Sequence, residues 1–123
     1  MRNFPVAAVK TGLLYSTEIV ELVAEIFAER VAQKIPLVID PVMVATSGDR
    51  LLEPGAVEIY QSRLFPLATL VTPNMAEAAA LTNRPVTNLA EMRAAGQFLQ
   101  EKHRTPFLIK GGHLDGPRAI DLL

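Results

Sequence analysis

The sequence predicts an α/β fold in which a mostly parallel sheet is covered by helices on both faces. Short apolar runs alternate with longer amphipathic or alanine-rich stretches in the order β-α-β-α-β-α-α-β. Half of the 123 residues are apolar, which suits a single hydrophobic core. Right-handed crossovers would point the strands the same way, so we expect their carboxyl ends to meet at one edge of the sheet, where α/β folds bind ligands.

The predicted elements follow from these runs and from helix-capping residues. The strands are short apolar segments and cover 6–10, 37–40, 68–71 and 107–110, with a fifth beginning within 118–123. The helices follow capping residues or proline and cover 17–31, 54–64, 75–81 and 89–102. In the first helix, the apolar stripe from Ile19 to Val31 has helical spacing, so we expect it to face the core.

Composition and charge exclude several classes of protein. The net charge of −1 gives no electrostatic reason to expect nucleic-acid binding. Without cysteine there is no disulfide, no thiolate nucleophile and no cysteine-based zinc site, and the two histidines do not form a metal-ligand pair. No apolar run is long enough for a membrane span or a signal peptide. We therefore expect a cytoplasmic protein that binds neither nucleic acid nor membrane.

Asp40 follows a buried strand and precedes the polar loop at residues 47–50. A carboxylate at a strand end can hold magnesium, directly or through water, or polarise a water bound to phosphate. It can equally cap the loop, with Pro41 ending the strand. Both interpretations remain open, and so do two for the loop, which either closes over a substrate or is an ordinary connection.

Asn74 and Glu77 are spaced by one helical turn, so their side chains point the same way. Such a pair can bind the water shell of magnesium. The spacing is also that of a helix cap followed by a first-turn glutamate, and from the residues alone this second interpretation is favoured.

Lys110-Gly111-Gly112 ends the last complete strand. A lysine beside two glycines can bring an ammonium group and backbone amides to a nucleotide phosphate. A tight turn with a solvated lysine is the alternative, and His113 is typical of a polar loop. Near the first strand, Gly12 and Leu13 can line an apolar pocket, although simple strand-to-helix packing is the commoner role.

Together these segments resemble the ribokinase-type small-molecule kinases, and most closely the hydroxymethylpyrimidine/phosphomethylpyrimidine kinases. The resemblance covers nearly the whole chain, and its motifs occur in the order and spacing of the family. Pyridoxal kinases share the Asp-Pro-Val element and are the nearest rival. The segments that carry the resemblance are 9–14, 40–45 with 47–52, 66–74 with Glu77, and 110–113.

The resemblance implies ATP-dependent phosphoryl transfer, with Mg²⁺, to a hydroxymethylpyrimidine or its monophosphate in thiamine biosynthesis. Asp40 and Glu77 correspond to the magnesium and phosphate-site acids, and Lys110 to a catalytic lysine that contacts phosphate. The resemblance also implies two further sets of residues. Nucleotide contacts would come from Thr72, Asn74, Lys110, Gly111 and Gly112, and contacts to the pyrimidine from Gly12, Leu13 and Val42.

Members of this family are about twice as long, so we expect residues 1–123 to be the central portion of a single ribokinase-like domain. The sequence contains no Gly-x-Gly and no cysteine, whereas the family has a Gly-Thr-Gly-Cys anion hole. We therefore expect the isolated chain to lack kinase turnover.

We also expect apolar faces to be exposed and to drive self-association or homo-oligomerisation. A pyridoxal-type kinase fragment, a non-catalytic nucleotide-binding module and an interaction remnant remain the alternatives.

Overall fold

A three-stranded parallel sheet forms the centre of the structure, a computed structural model that describes residues 5–44, 49–112 and 119–123. The strands are β1 (Val9–Thr11), β2 (Leu37–Ile39) and β3 (Leu70–Val71), in the spatial order β1-β2-β3. Both strand pairs are parallel. The predicted α/β class with a mostly parallel sheet is thus confirmed, and the carboxyl ends of the three strands lie at one edge.

The segment 107–110 extends this sheet beyond β3. The Leu108 N–H donates to the carbonyl of Val71 at 2.8 Å, and the Lys110 N–H donates to the carbonyl of Pro73 at 2.9 Å. These bonds form isolated parallel bridges rather than a regular strand. The position predicted for the fourth strand is therefore confirmed, and it places Lys110 beside the end of β3.

The chain end adds an antiparallel contact at the outer side of this segment. Ile109 and Leu122 exchange two backbone hydrogen bonds, of 2.7 and 3.0 Å. The fifth strand predicted within 118–123 is thus represented by a single bridge at Leu122, and residue 118 lies outside the described residues.

The first strand begins three residues later than predicted. Its first ladder hydrogen bond runs from the Val9 N–H to the carbonyl of Pro36 at 2.9 Å, whereas Val6 is 56% exposed. An apolar run predicts burial on both faces, but Val6 lies before the point at which β2 can pair with the chain.

Four α-helices accompany the strands in the part of the chain that the structure describes. Ser16, Asn74 and Asn88 each accept a hydrogen bond from the N–H three residues further on, which satisfies a backbone donor at a helix start, as predicted. The helices are α1 (Thr17–Glu29), α2 (Ala56–Ile59), α3 (Met75–Thr82) and α4 (Leu89–His103). α1 contacts α2, and α3 contacts α4.

The apolar stripe predicted to bury one face of α1 is only partly buried. Val23 and Phe27 pack against the core, whereas the four other members are exposed, so the prediction is wrong for those four. The buried positions of α1 are Val20 and Ala24, one residue out of step with the predicted face. Apolar side chains cover more than half of the helix circumference, and helical spacing cannot say which part of so wide a face meets the sheet. The exposed fractions of the outward residues are 42% for Ile19, 55% for Leu22, 41% for Ile26 and 61% for Val31.

The second predicted helix is interrupted. α2 ends at Ile59 and continues as a π-helical turn, Tyr60–Leu64, and then as a 3₁₀ turn, Phe65–Leu67. The Phe65 N–H donates to the carbonyl of Tyr60, five residues earlier, which marks the wider π turn. Pro66 has no N–H to continue an α-helical ladder, so the regular helix cannot extend to β3.

The core lies between the sheet and these helices and includes an aromatic cluster. Phe65 packs edge-on against Phe107 at 5.6 Å and against His103 at 5.2 Å between ring centroids. Tyr60 lies 6.0 Å from Phe65. These contacts tie the π turn and α4 to the sheet. Among the described residues, no helix combines the length and the apolar character needed to cross a membrane.

Candidate functional site

Asp40 is the first residue after β2 and lies at the carboxyl edge of the sheet. Its N–H donates to the carbonyl of Thr11 at 3.3 Å, which fixes its backbone beside the end of β1. Its carboxylate lies between two ammonium groups. Lys110 Nζ is 3.2 Å from Oδ1, and Lys10 Nζ is 3.5 Å from Oδ2. Asp40 and Lys110, which sequence reasoning selected separately, are therefore brought together.

Lys10 is a candidate residue that sequence reasoning missed. It is aligned with Val38 in the β1–β2 pair, and Asp40 follows Val38 by two residues. Alternate side chains along a strand point to the same face, so Lys10 and Asp40 share a face of the sheet. The sequence carries no signal for the strand register that brings Lys10 beside Asp40, so sequence reasoning places Lys10 only at the end of a predicted strand.

Asn74 and Glu77 form a capping box at the start of α3. The Glu77 N–H donates to Asn74 Oδ1 at 2.8 Å, and the Asn74 N–H donates to Glu77 Oε2 at 2.8 Å. The helix-cap interpretation favoured from the sequence is thus confirmed by the hydrogen bonding. The parallel bridge between Asn74 and Lys110 places this cap at the same edge as the lysine.

Glu77 has a second role that the spacing did not reveal. Its other oxygen, Oε1, accepts a hydrogen bond from the Met43 N–H at 3.2 Å, and its side chain is buried. Burial raises the pKa of Glu77 above its usual range, against the opposing effects of the two backbone N–H donors and of Lys110. The charge of Asp40 acts in the same direction as burial, so the two carboxylates are electrostatically coupled.

Tyr60 is buried, and the negative charges of Asp40 and Glu77 affect the pKa of its phenol. Burial raises the pKa of its phenol strongly, and the negative charges of Asp40 and Glu77 raise it further. Its hydroxyl has no hydrogen-bond partner among the described residues, and neither has the buried hydroxyl of Thr11. Sequence reasoning placed Tyr60 on a helix face without a role, because nothing in the pattern signals the π turn that positions it.

The two glycines after Lys110 have different surroundings. A Cβ on Gly111 would collide with the carbonyl oxygen of Ile120, and the Gly111 N–H donates to Asp121 Oδ1 at 3.0 Å. Gly111 is therefore required by the close approach of two backbone segments. Among the described residues, nothing lies within 4 Å of the position that a Cβ on Gly112 would occupy.

The residues predicted to contact substrate lie at the ends of β1 and β2. Gly12 has open space where a Cβ would stand, and Leu13 is 50% exposed. Val42 is half-buried, and its N–H donates to the carbonyl of Asp40 at 2.9 Å. Thr72, predicted on the nucleotide side, is buried, and its N–H donates to the carbonyl of Ile39 at 2.9 Å.

The loop after β2 is described at its two ends. The Leu51 N–H donates to the carbonyl of Met43 at 2.8 Å, and Val44 and Arg50 form an antiparallel bridge, so the loop returns beside its own start. The prediction that it closes over a substrate falls partly on Ser47 and Gly48, which lie outside the described residues, as does His113.

Two further observations locate the site. In the part of the chain that the structure describes, no group of three histidine, cysteine, aspartate or glutamate side chains could hold a metal ion. A cavity of about 370 Å³ lies elsewhere, lined by residues of α4, by Phe107 and Ile109, and by the last two leucines. This cavity contains none of the strand-end side chains around Asp40, and the candidate site at the carboxyl edge of the sheet rests on the pairing of Asp40 with Lys10 and Lys110.

Comparison with known proteins identifies relatives over nearly the whole chain. The sequence model of the phosphomethylpyrimidine kinase family matches residues 1–123. A hydroxymethylpyrimidine/phosphomethylpyrimidine kinase of Streptomyces coelicolor is 47% identical over 118 residues, which cover 96% of this chain and 42% of that protein. The corresponding kinase of Escherichia coli is 44% identical over 115 residues, 93% of this chain and 42% of that protein. The chain thus spans about two fifths of these relatives.

Solved structures show the same fold. The phosphomethylpyrimidine kinase of Clostridium difficile superposes with a TM-score of 0.78 at 38% identity, covering 97% of this chain and half of that one. A pyridoxal kinase of Bacillus subtilis in complex with ADP also gives 0.78, at 32% identity, covering 94% of this chain and 43% of that one. The predicted ribokinase-like architecture is confirmed by these matches.

Proposed function

The chain belongs to the phosphomethylpyrimidine kinase family, and we propose that it carries part of a site that transfers the γ-phosphoryl group of ATP to a hydroxymethylpyrimidine or its monophosphate, a step of thiamine biosynthesis. The observation that carries this proposal is the position of Asp40, between Lys10 and Lys110 at the carboxyl edge of the sheet. A cytoplasmic location, where ATP is available, is part of the same proposal.

The reaction needs little covalent chemistry from the protein. An oxygen of the acceptor attacks the γ-phosphorus, the bond from that phosphorus to the β–γ bridging oxygen breaks, and ADP leaves with the electron pair. A hydroxyl acceptor also gives up its proton, which passes to water. Positioning and charge stabilisation supply most of the rate. Lys110 would neutralise charge on the transferred group, and Asp40 would hold that ammonium in place or polarise a water bound to phosphate.

The carboxylates fit a magnesium ion of the kind that kinases use. Mg²⁺ keeps several waters and binds through one or two carboxylates together with substrate phosphates, so a closed cage of protein ligands is not needed. The side chain of Asp40 is 16% exposed and can reach such an ion, directly or through water. Glu77 is buried and already accepts two backbone N–H bonds, so it would act through the water shell. When bound, the ion would neutralise phosphate charge.

The strand order divides the site into two sides. Thr72 and Asn74 follow β3, Lys110 lies on the segment beside it, and with Gly111 and Gly112 they form the proposed nucleotide side. The open space at Gly112 and the exposed fraction of Lys110, 37%, support a contact with phosphate there.

The proposed acceptor side lies at the ends of β1 and β2. Leu13 and Val42 offer exposed and half-buried apolar surface to a pyrimidine ring, and Gly12 leaves room beside them. The acceptor and the nucleotide would thus approach Asp40 from opposite directions, as transfer between them requires.

A pyridoxal-type acceptor is the second candidate. It is favoured by the pyridoxal kinase structures, which superpose on this chain as well as the pyrimidine kinase does, with TM-scores of 0.78. The pyrimidine acceptor is preferred because the family match covers residues 1–123 and relatives named for that activity are up to 47% identical. The 123 residues contain no Gly-x-Gly, so we propose that by themselves they bind without turnover.

Calorimetric titration of each acceptor tests the proposal. The chain is saturated with magnesium and a non-hydrolysable ATP analogue, and is then titrated with the hydroxymethylpyrimidine or with pyridoxal. We expect the pyrimidine to bind more tightly, and Asp40→Asn to weaken its binding roughly tenfold through loss of the charged centre. The control is Glu29→Gln, a charge change at the exposed end of α1. Tighter binding of pyridoxal favours the second candidate, and binding of neither acceptor contradicts both.

A further inference from the structure

The carboxylate of Asp40 is paired with two lysines that are not equivalent. Lys110 extends from the segment beside β3, and Lys10 extends from β1, on the other side of β2. Each ammonium takes a different carboxylate oxygen. The two positive charges therefore mark the two opposite sides of the site.

Lys10 is more exposed than Lys110 and lies further from Asp40. Its side chain is 64% exposed, against 37% for Lys110, and its distance to Asp40 is 3.5 Å rather than 3.2 Å. An ion pair exposed to this degree contributes little, because water screens it and because ordering a lysine costs side-chain entropy. Its ammonium can thus leave Asp40 for a stronger partner at little cost.

A phosphate is a stronger partner for Lys10 than the carboxylate of Asp40. That carboxylate shares its charge between Lys10 and Lys110, so neither ammonium group has it alone. A phosphate dianion carries more charge than a carboxylate and offers three acceptor oxygens, so it is the better partner for a lysine. An uncharged alcohol offers no such gain.

The side of the site that Lys10 occupies decides which phosphate it meets. Gly12 and Leu13, which follow the end of β1, belong to the proposed acceptor side, and open space lies beside Gly12. The nucleotide side lies across β2, beside Lys110. A phosphate that approaches over β1 therefore belongs to the acceptor.

We propose that Lys10 recognises the phosphate already present on the monophosphate acceptor, and that it thereby lets this chain distinguish the phosphorylated pyrimidine from the alcohol. This inference rests on the proposed function, and it assigns Lys10 as a residue that determines specificity. In the ligand-free protein Lys10 pairs with Asp40, and in the complex it exchanges that carboxylate for the phosphate.

Titrations of the folded chain with three ligands test this assignment. The chain is titrated with the pyrimidine monophosphate and with the alcohol, each in the presence of magnesium and the non-hydrolysable ATP analogue, and separately with Mg-ATP. The variants are Lys10→Gln, Lys10→Arg and, as the matched control, Lys34→Gln. Lys34 is an exposed lysine that precedes β2, at the opposite edge of the sheet.

We expect Lys10→Gln to weaken binding of the monophosphate roughly tenfold and to leave the alcohol and Mg-ATP within about twofold. Lys10→Arg should retain most of the affinity, because a guanidinium also binds phosphate. Protection supplies a second measurement: the monophosphate, but not the alcohol, should shield Lys10 from an amine-reactive label detected by mass spectrometry.

The possible outcomes separate this inference from the proposed function. If Lys10→Gln weakens the alcohol equally, weakens Mg-ATP instead, or behaves like Lys34→Gln, the assignment of Lys10 is overturned while the proposed function stands. If the wild-type chain binds neither acceptor, the proposed function fails, and the assignment fails with it.

Discussion

The carboxylate of Glu77 accepts a hydrogen bond from the backbone N–H of Met43, 34 residues earlier in the chain, at 3.2 Å. The same carboxylate closes the capping box of α3 through the Asn74 N–H. One buried side chain thus joins the segment that follows Asp40 to the helix that follows β3. This link fixes the spacing of two strand ends, and the candidate site is built on both.

Replacing Glu77 with alanine should destabilise the fold by about 3 kcal/mol, because it leaves the N–H groups of Met43 and Asn74 without their acceptor. Glu91 is the matched control. It occupies the same position of α4, but its bonds to Thr87 are exposed, so Glu91→Ala should cost about 1 kcal/mol. Urea unfolding measures both variants. Equal losses would show that the buried link adds nothing to an ordinary helix cap.

Acid should destabilise the protein through His103. Burial lowers the pKa of this histidine, and the charge of Lys102 lowers it further. The unfolded chain therefore takes up a proton near pH 6.5, where the folded chain does not, and stability falls as the pH drops below that value. The ring contacts Phe65 edge-on at 5.2 Å, and its buried Nε2 has no hydrogen-bond partner among the described residues.

The variant His103→Phe preserves an aromatic ring in this cluster and removes the titration. Thermal unfolding between pH 5 and pH 8 should show a smaller loss of stability on acidification for the variant than for the wild type. The raised pKa of Glu77 has the opposite effect on stability, since the stability from that group is lost as the pH rises. Both proteins contain Glu77, so the difference between their pH profiles isolates the contribution of His103. Parallel pH profiles would exclude His103 as the cause.

The exposed face of α1 should mediate self-association. Leu22 and Ile26 lie one turn apart on this face and are 55% and 41% exposed. Exposed apolar surface of this kind marks an interaction surface. In sedimentation velocity, the double variant Leu22→Lys and Ile26→Lys should contain a larger fraction of monomer than the wild-type chain. Its stability should change little, because neither side chain is in the core.

Glu29→Gln, at the end of the same helix, serves as the control for a change of charge and should leave the association unchanged. A wild-type chain that sediments as a monomer at every concentration would contradict the prediction.

The edge at which the site lies could be predicted from the sequence because the alternation of strands and helices fixes strand direction. Asp40, Asn74 and Lys110 each follow an apolar run, and parallel strands bring such positions together. Which side chains pair there could not be predicted, because it depends on strand register. Lys10 reaches Asp40 through the alignment of Lys10 with Val38, which no local pattern encodes.

Two other features depend on tertiary packing. Helical spacing showed that α1 is amphipathic, but its apolar side chains spread too widely to reveal that Val20 and Ala24 face the core. The Asn74–Glu77 spacing predicted the helix cap, whereas the bond to Met43 connects residues that only the folded chain brings together. The π turn at Tyr60 likewise had no signal in the sequence.

The binding of Mg-ATP tests the candidate site most directly, and calorimetry measures it on the wild-type chain, on Lys110→Ala and on Lys34→Ala as a control. If the edge around Asp40 is a nucleotide site, the wild type binds saturably, Lys110→Ala binds roughly tenfold more weakly, and Lys34→Ala binds like the wild type. A folded chain that does not bind Mg-ATP, or that binds it equally well without Lys110, would show that the edge around Asp40 is not a nucleotide site.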